Sequence, residues 1–314
     1  MITPASVAGA AQLACLLEAS APKPGNVSPG RPFADLRFED FLASAVAIGE
    51  PLAGAGTRPV GATVRLAIDA TRRWTRSNTN LGIVLLFAPL ARAALLEWPA
   101  SASVAQAFRP ANSGPGGPAA SVASGFSPTL RASLRRVLEA TTVEDARDVY
   151  QAIRQAAPGG LGRVGGQDVA DEPTATLLEV MCLAAQRDGI AQEYATAFET
   201  TFEAAVPTLI RTRLDGLPWD DAVVETFLTL LAAVPDTHVA RRSGEVVAAG
   251  VSRRARAALD AGGVRSSEGR SAIDEMDRAL RDPRHRGNPG TTADLTAAAI
   301  FVVLLDERGS KVAS

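Results

Sequence analysis

Two cysteines, two histidines and few aromatics (three Trp, two Tyr, ten Phe) are all the special chemistry this 314-residue chain carries. Two thiols, Cys15 and Cys182, each inside an apolar helical pattern, read as small core residues of a reducing compartment, not as a disulfide framework. Two histidines, His238 and His285, exclude a multi-histidine zinc site. Charge of one sign is also missing. A formal net charge of −2 argues against a nucleic-acid surface. The longest apolar run, Leu81 to Leu96, is interrupted by Pro89 and Arg92 and is short for a bilayer span. No basic segment opens the N-terminus. A cytoplasmic protein without membrane or nucleic-acid partners is expected. Gly-Lys-Ser/Thr phosphate loops, a dinucleotide fingerprint on a strand–helix unit and a nucleophile elbow are all absent.

What is present is aliphatic: 46% of residues are hydrophobic while only 5% are aromatic, so the core must be built from Ala, Leu and Val. No alternating run is long enough to make a strand. Apolar residues instead recur at helical spacing over Ala5–Glu18, Phe38–Ala47, Gly61–Trp74, Gly82–Glu97, Leu130–Ala140, Val143–Gln155, Thr174–Asp188, Ala191–Arg213, Trp219–Ala233, Val239–Ala249, Val251–Asp260, Ser267–Leu280 and Thr292–Asp306. The expected fold is all-α, a single domain over residues 1–314 of about a dozen helices joined by short connections. Residues 109–128, with Pro110, Pro115, Pro118 and Pro128 among Gly, Ser and Ala, read as a long loop or linker inside it.

Four polar motifs stand directly before apolar helical stretches, and a helix start offers free N–H groups and a partial positive charge to an anion. In Lys23-Pro24-Gly25-Asn26-Val27-Ser28, Lys23 and Asn26 suit phosphate or sugar oxygens; the plain alternative is a structural turn with a solvated lysine. In Ser77-Asn78-Thr79-Asn80-Leu81-Gly82, the Asn78, Thr79 and Asn80 side chains offer amides and a hydroxyl to a sugar or phosphate, or simply cap the next helix, with Gly82 easing helix packing. Asp236-Thr237-His238 pairs a carboxylate with a proton-transfer group one turn before Arg241 and Arg242, which could reach phosphates; Asp236 could equally be a cap. In Asn288-Pro289-Gly290-Thr291-Thr292-Ala293-Asp294, Thr291 and Asp294 have the spacing of a capping box, while Asp294 could instead hold magnesium or a ribose and Gly290 bring backbone close to a ligand. A fifth stretch, glycine-rich from Gly159 to Gly166, leads to Asp168, Asp171 and Glu172, either a magnesium–polyphosphate cluster or, for Asp171, a helix cap. One helix end contributes about 0.3–1 kcal/mol to an anion, against about 8 kcal/mol for micromolar binding, so several groups must act together.

Taken in order, the motifs resemble the triphosphoribosyl-dephospho-coenzyme A synthase family: Pro22 to Gly25, then Phe41-Leu42-Ala43-Ser44-Ala45, the Asn78-Thr79 pair, Asp236-Thr237, and Asn288 to Leu295, nearly the whole chain. The resemblance implies an all-α transferase that uses ATP as substrate: a sugar hydroxyl of 3′-dephospho-coenzyme A attacks the ribose C1′, adenine leaves, and a 5-triphosphoribosyl group is transferred with inversion. On it, Lys23, Asn26, Asn78, Thr79, Asn80, Arg241, Arg242 and Asn288 are expected to hold phosphates and substrate, Asp168, Asp171 or Asp294 magnesium, and Asp236 or His238 to act as base. The chain departs from the family where the synthases have Asn-Thr-His-Lys-Gly and it has Asn78-Thr79-Asn80-Leu81-Gly82. That form is similar to a branch met in one-carbon cofactor (methanopterin) biosynthesis, which implies a related phosphoribosyl-type transfer. Loss of the histidine and lysine also leaves room for a non-catalytic nucleotide-binding protein. The oligomeric state is open.

Overall fold

The computed structural model describes residues 2–97, 126–282 and 285–306. Among them there is no strand, only an isolated antiparallel bridge between Ser28 and Arg31. The chain runs through α1 (Pro4–Ser20), α2 (Phe38–Ala47), α3 (Gly49–Ala53), α4 (Val60–Arg72), α5 (Leu81–Glu97), α6 (Phe126–Glu139), α7 (Val143–Ala156) and α8 (Leu177–Ala184). It continues through α9 (Gly189–Thr196), α10 (Val206–Leu214), α11 (Trp219–Ala233), α12 (Thr237–Ser243), α13 (Glu245–Asp260), α14 (Ser267–Leu280) and α15 (Gly290–Leu305). No single helix among the described residues is long and apolar enough to cross a membrane.

Helix α15 is the axis of the molecule. Its residues are apolar around the whole circumference, so every face must be covered; α1, α5, α10 and α11 supply the cover. Small side chains let the helices approach, and Phe87 of α5 stacks on Phe301 of α15 at 4.4 Å between ring centroids. The buried hydrophobic residues form one connected cluster from Ile2 to Leu305. At its centre α5 contains Pro89, which has no N–H to give the Leu85 carbonyl four residues earlier. The fully buried Tyr194 hydroxyl donates to that carbonyl instead, at 2.7 Å. Tyr194→Phe therefore orphans a buried acceptor, and a stability loss of about 1–3 kcal/mol is expected in denaturant titration.

Local chemistry moves several helix boundaries from their expected places. The single helix expected over Ala191–Arg213 is broken: Ala197 and Phe198 adopt φ of 50° and 60°, and a π-helical turn, Thr200–Ala205, precedes α10. The buried Glu193 carboxylate holds the break, accepting from the Thr200 and Thr201 N–H groups and the Thr201 hydroxyl. The break expected near Gly250 lies at Gly244 instead, where φ is 89° and only glycine is comfortable; Gly250 stays inside α13. Asp171 caps no helix, since α8 starts after Thr176, whose hydroxyl and Glu179 form the capping box. Cys182 is exposed, not a core residue, whereas Cys15 is buried. Of the stretch 109–128, residues 109–125 lie outside the described residues and 126–128 open α6, with Pro128 in the first turn where its missing N–H costs nothing.

Candidate active site

Three of the polar motifs meet because three helices begin in one place. The first turn of α5 is organised by Asn78, whose Oδ1 accepts from Leu81 N at 3.2 Å, and by the Asn80 carbonyl, which accepts from Val84 N. Asn80 also donates to Thr71 Oγ1 at 3.0 Å, and the Thr79 hydroxyl meets that of Ser44, fixing this turn to α4 and α2. The starts of α12 and α15 are tied together by Asp236. Its Oδ1 accepts from Val239 N at 3.0 Å, and its Oδ2 accepts from both the N–H and the hydroxyl of Thr292 at 2.7 Å. Thr237 and Thr291 hydroxyls meet at 3.1 Å across the same seam. The first motif is strapped on by α14: Asp277 accepts from Gly25 N, whose φ is 75°, and Arg281 donates to the Asn26 carbonyl.

These elements enclose a cavity of about 310 Å³. Its walls carry eight of the residues singled out from the sequence: Asn26, Asn78, Thr79, Asn80, His238, Arg242, Asn288 and Asp294. The other five stand elsewhere. Lys23 is 1% exposed; its ammonium pairs with Glu18 at 2.9 Å and donates to the Glu18 and Ala21 carbonyls, so its three protons are all used internally. Asp236 is 2% exposed and spends its lone pairs on the two helix starts. Burial pushes its carboxyl upward, against the pull of the Thr292, Val239 and His238 hydrogen bonds. Arg241 pairs with Asp188 at 3.1 Å. Asp168 accepts from Val164 and Ala170 N–H groups, which hold its carboxyl below the usual range, and Asp171 lies 3.6 Å from Arg163. Both organise the glycine-rich loop and line no part of the cavity.

His238 and Asp294 owe their places to glycines. A Cβ on Gly290 would lie 2.3 Å from His238 Nδ1, so α15 approaches the imidazole through this residue. A Cβ on Gly82 would lie 1.9 Å from Asp294 Oδ2, so the carboxyl rests against the first turn of α5. The expected capping box at the start of α15 does not form: Pro289 occupies the cap position without a side-chain bond, and Asp294 turns into the cavity. Asp294 has no hydrogen bond or ion pair among the described residues. It is partly exposed to the cavity yet walled in by protein, and burial followed by the Glu18, Asp236 and Asp188 carboxylates raises its pKa well above the ordinary value, Arg241 acting weakly the other way.

Burial, with the Arg241, Arg242 and His285 charges after it, lowers His238 from 6.5 to about 3. The ring is neutral at working pH. Because the unfolded chain binds the extra proton between pH 6.5 and 3, folding stability is fully present above 6.5 and falls toward 3. His238→Gln should remove up to about 1.4 kcal/mol per pH unit of that acid-side slope; denaturation midpoints of the two proteins from pH 7 to 3.5 test it, and parallel curves would refute the shift.

Phe41, which opens the second family-like motif, also lines the cavity, as do Glu18, Asp35 and His285, which no sequence motif marks. Glu18 sits inside α1 as one more residue of an apolar helix. His285 and Asp35 are 250 positions apart, joined at 2.5 Å between Nε2 and Oδ1, with Phe33 edge-on to the imidazole at 4.1 Å. A resident magnesium finds no fitting set: Glu18 is taken by Lys23, Asp35 by His285, Asp168 and Asp171 belong to another loop, and Asp294 is left as a single carboxyl on the wall. Among the described residues no three His, Cys, Asp or Glu side chains gather where they could hold a metal ion.

Residues 4–312 match the sequence model of the CitG family, described as ATP:dephospho-CoA triphosphoribosyl transferase. A protein of Pseudomonas paraeruginosa (strain DSM 24068 / PA7), named probable 2-(5''-triphosphoribosyl)-3'-dephosphocoenzyme-A synthase, is 34% identical over 114 residues, 36% of this chain and 38% of that one. A Pseudomonas fluorescens (strain Pf0-1) protein of the same name is 31% identical over 121 residues, 38% of this chain and 41% of that one. The alignments thus span well under half of these relatives' own length. A crystal structure from Archaeoglobus fulgidus, assigned to triphosphoribosyl-dephospho-CoA synthase, has a TM-score of 0.58 at 24% identity, over 85% of this chain and 99% of that one. It shares the fold.

Proposed function

The chain belongs to the ATP:dephospho-CoA triphosphoribosyl transferase family over nearly its whole length, and from that premise we propose that its cavity transfers a 5-triphosphoribosyl group from ATP to a sugar hydroxyl of a cofactor precursor such as 3′-dephospho-CoA. The observation that carries this reading is the convergence of the family-like motifs on one cavity: four asparagines, Asn26, Asn78, Asn80 and Asn288, from three separate segments, face the same space. Amides donate and accept at once, which suits the mixed edges of a nucleoside. In the reaction the acceptor hydroxyl oxygen bonds to C1′, the C1′–N9 bond breaks with its electron pair going to the base, and the hydroxyl proton is lost. Holding donor and acceptor in one cleft makes the attack effectively unimolecular. Arg242, on the cavity wall, would take phosphate oxygens; magnesium would arrive with the nucleotide as its counter-ion. Incubating the protein with MgATP and 3′-dephospho-CoA should release free adenine in equal amount to a triphosphoribosylated product, followed by chromatography; no adenine sinks this substrate pair.

One observation favours a second reading. Asn80 and Leu81 line the cavity at the two positions where the synthases' second motif has histidine and lysine, so Arg242 is the one Lys or Arg on the wall among the described residues. A donor or acceptor of lower charge fits that wall better, as in a related phosphoribosyl-type transfer of one-carbon cofactor biosynthesis, methanopterin included. A panel of mono-, di- and triphosphorylated donors separates the two, the first reading requiring the triphosphate to turn over fastest.

A further inference from the structure

Transfer from a nucleotide has a second demand besides the attacking hydroxyl: a purine is a poor leaving group as an anion and must gain a proton as the glycosidic bond breaks. The cavity offers few groups to supply it. His238, a neutral imidazole at working pH, has no imidazolium proton to give. Glu18 is engaged by the Lys23 ammonium, and the His285 Nε2 by Asp35, while its Nδ1 is buried without a partner and out of solvent reach. Arg242 does not give up a proton in a protein. Asp236 reaches no part of the cavity wall.

What is left is Asp294, and we propose that it is the catalytic general acid of this site, protonating a ring nitrogen of the departing adenine. This rests on the reading that the cavity transfers a ribosyl group from a nucleotide. Three features place it there. Its carboxyl faces the cavity, has no hydrogen bond or ion pair among the described residues, and is held against the first turn of α5 because Gly82 has no side chain. Burial and the surrounding carboxylates raise its affinity for a proton. A carboxyl that holds its proton can donate it, as a magnesium ligand could not. As the C1′–N9 bond breaks, the proton moves from the Asp294 carboxyl to the base, which leaves as neutral adenine. The acceptor oxygen bonds to C1′, its proton passes to water, and water reprotonates the carboxylate.

Asp294→Asn keeps the shape and removes the acid. With ATP as donor kcat is expected to fall about 10²–10⁴-fold, with KM within a few-fold. An N7-methylated purine donor, whose base leaves without being protonated, should be turned over by D294N within about tenfold of the unsubstituted enzyme, and that rescue is what a structural or metal-ligand role would not produce. Equal losses with both donors, or no loss with ATP, would overturn the assignment. Should D294N fail to fold, the unsubstituted enzyme still decides: its kcat with ATP must fall at alkaline pH where that with the methylated donor does not, and coincident profiles would refute the acid. If the unsubstituted enzyme cleaves no nucleotide donor at all, both this assignment and the transferase reading fall; activity without dependence on Asp294 removes this assignment alone.

Discussion

Lys23→Met is expected to lower folding stability by about 3–5 kcal/mol, because it leaves the Glu18 carboxylate buried without its cation. Glu18 is 4% exposed and Lys23 1%, so little water reaches the carboxylate in place of its lost partner. The lysine also pins two carbonyls, those of Glu18 and Ala21, at the end of α1, and with them the Pro22–Gly25 turn that carries Asn26 to the cavity. Removing both charges together, in Glu18→Gln with Lys23→Met, should recover a large part of the loss, since replacing a buried pair by neutral groups is far cheaper than breaking it. Urea titration of the two single variants and the double variant measures the coupling. A phosphate-binding Lys23 makes the opposite forecast: stability unchanged, KM for the donor raised.

The second large effect is at Asp236. One carboxylate satisfies the starts of two helices, accepting from Val239 on α12 and twice from Thr292 on α15. Asp236→Ala strands those donors where only protein surrounds them, at about 1–3 kcal/mol for each orphaned group. A total loss of about 3–5 kcal/mol is expected, a large share of a typical domain's stability. The same substitution distinguishes structure from chemistry. At low temperature, where the folded fraction persists, activity per folded molecule should stay within about tenfold of the unsubstituted protein. A fall of a hundredfold or more with the melting temperature intact would make Asp236 the base after all.

Much of the fold was legible because its determinants are local. Helical periodicity placed α1, α2, α5, α7, α11 and α15 within a few residues of their positions. The misplaced boundaries share a cause: each is set by a contact or a backbone state that periodicity does not encode. Glu193 breaks the α9–α10 stretch by accepting from the Thr200 and Thr201 N–H groups ahead of it, and Gly244 takes a positive φ that Gly250, equally a glycine, does not. In the site, the four helix-start motifs come together while the stretch with Asp168 and Asp171 stays apart, and no motif indicated which way each side chain would face. Lys23 and Asn26 are three positions apart, yet one turns to Glu18 and the other to the cavity. Asp236 and Asp294 have the same side chain at comparable helix starts, and only one is consumed by hydrogen bonds.

From the sequence alone followed the all-α class, an apolar helix where α15 lies and the family to which the ordered motifs point, because hydrophobic spacing and short turn chemistry act over a few neighbouring residues. The tertiary structure decided the division of labour among the polar groups. Whether a carboxylate or an ammonium is a fastener or a reagent depends on what distant segments bring to within 3 Å of it, and on whether water or only protein fills the rest of its surroundings. Gly82 and Asp294 belong to segments more than 200 positions apart, and their contact is what leaves one unpaired carboxyl facing the cavity.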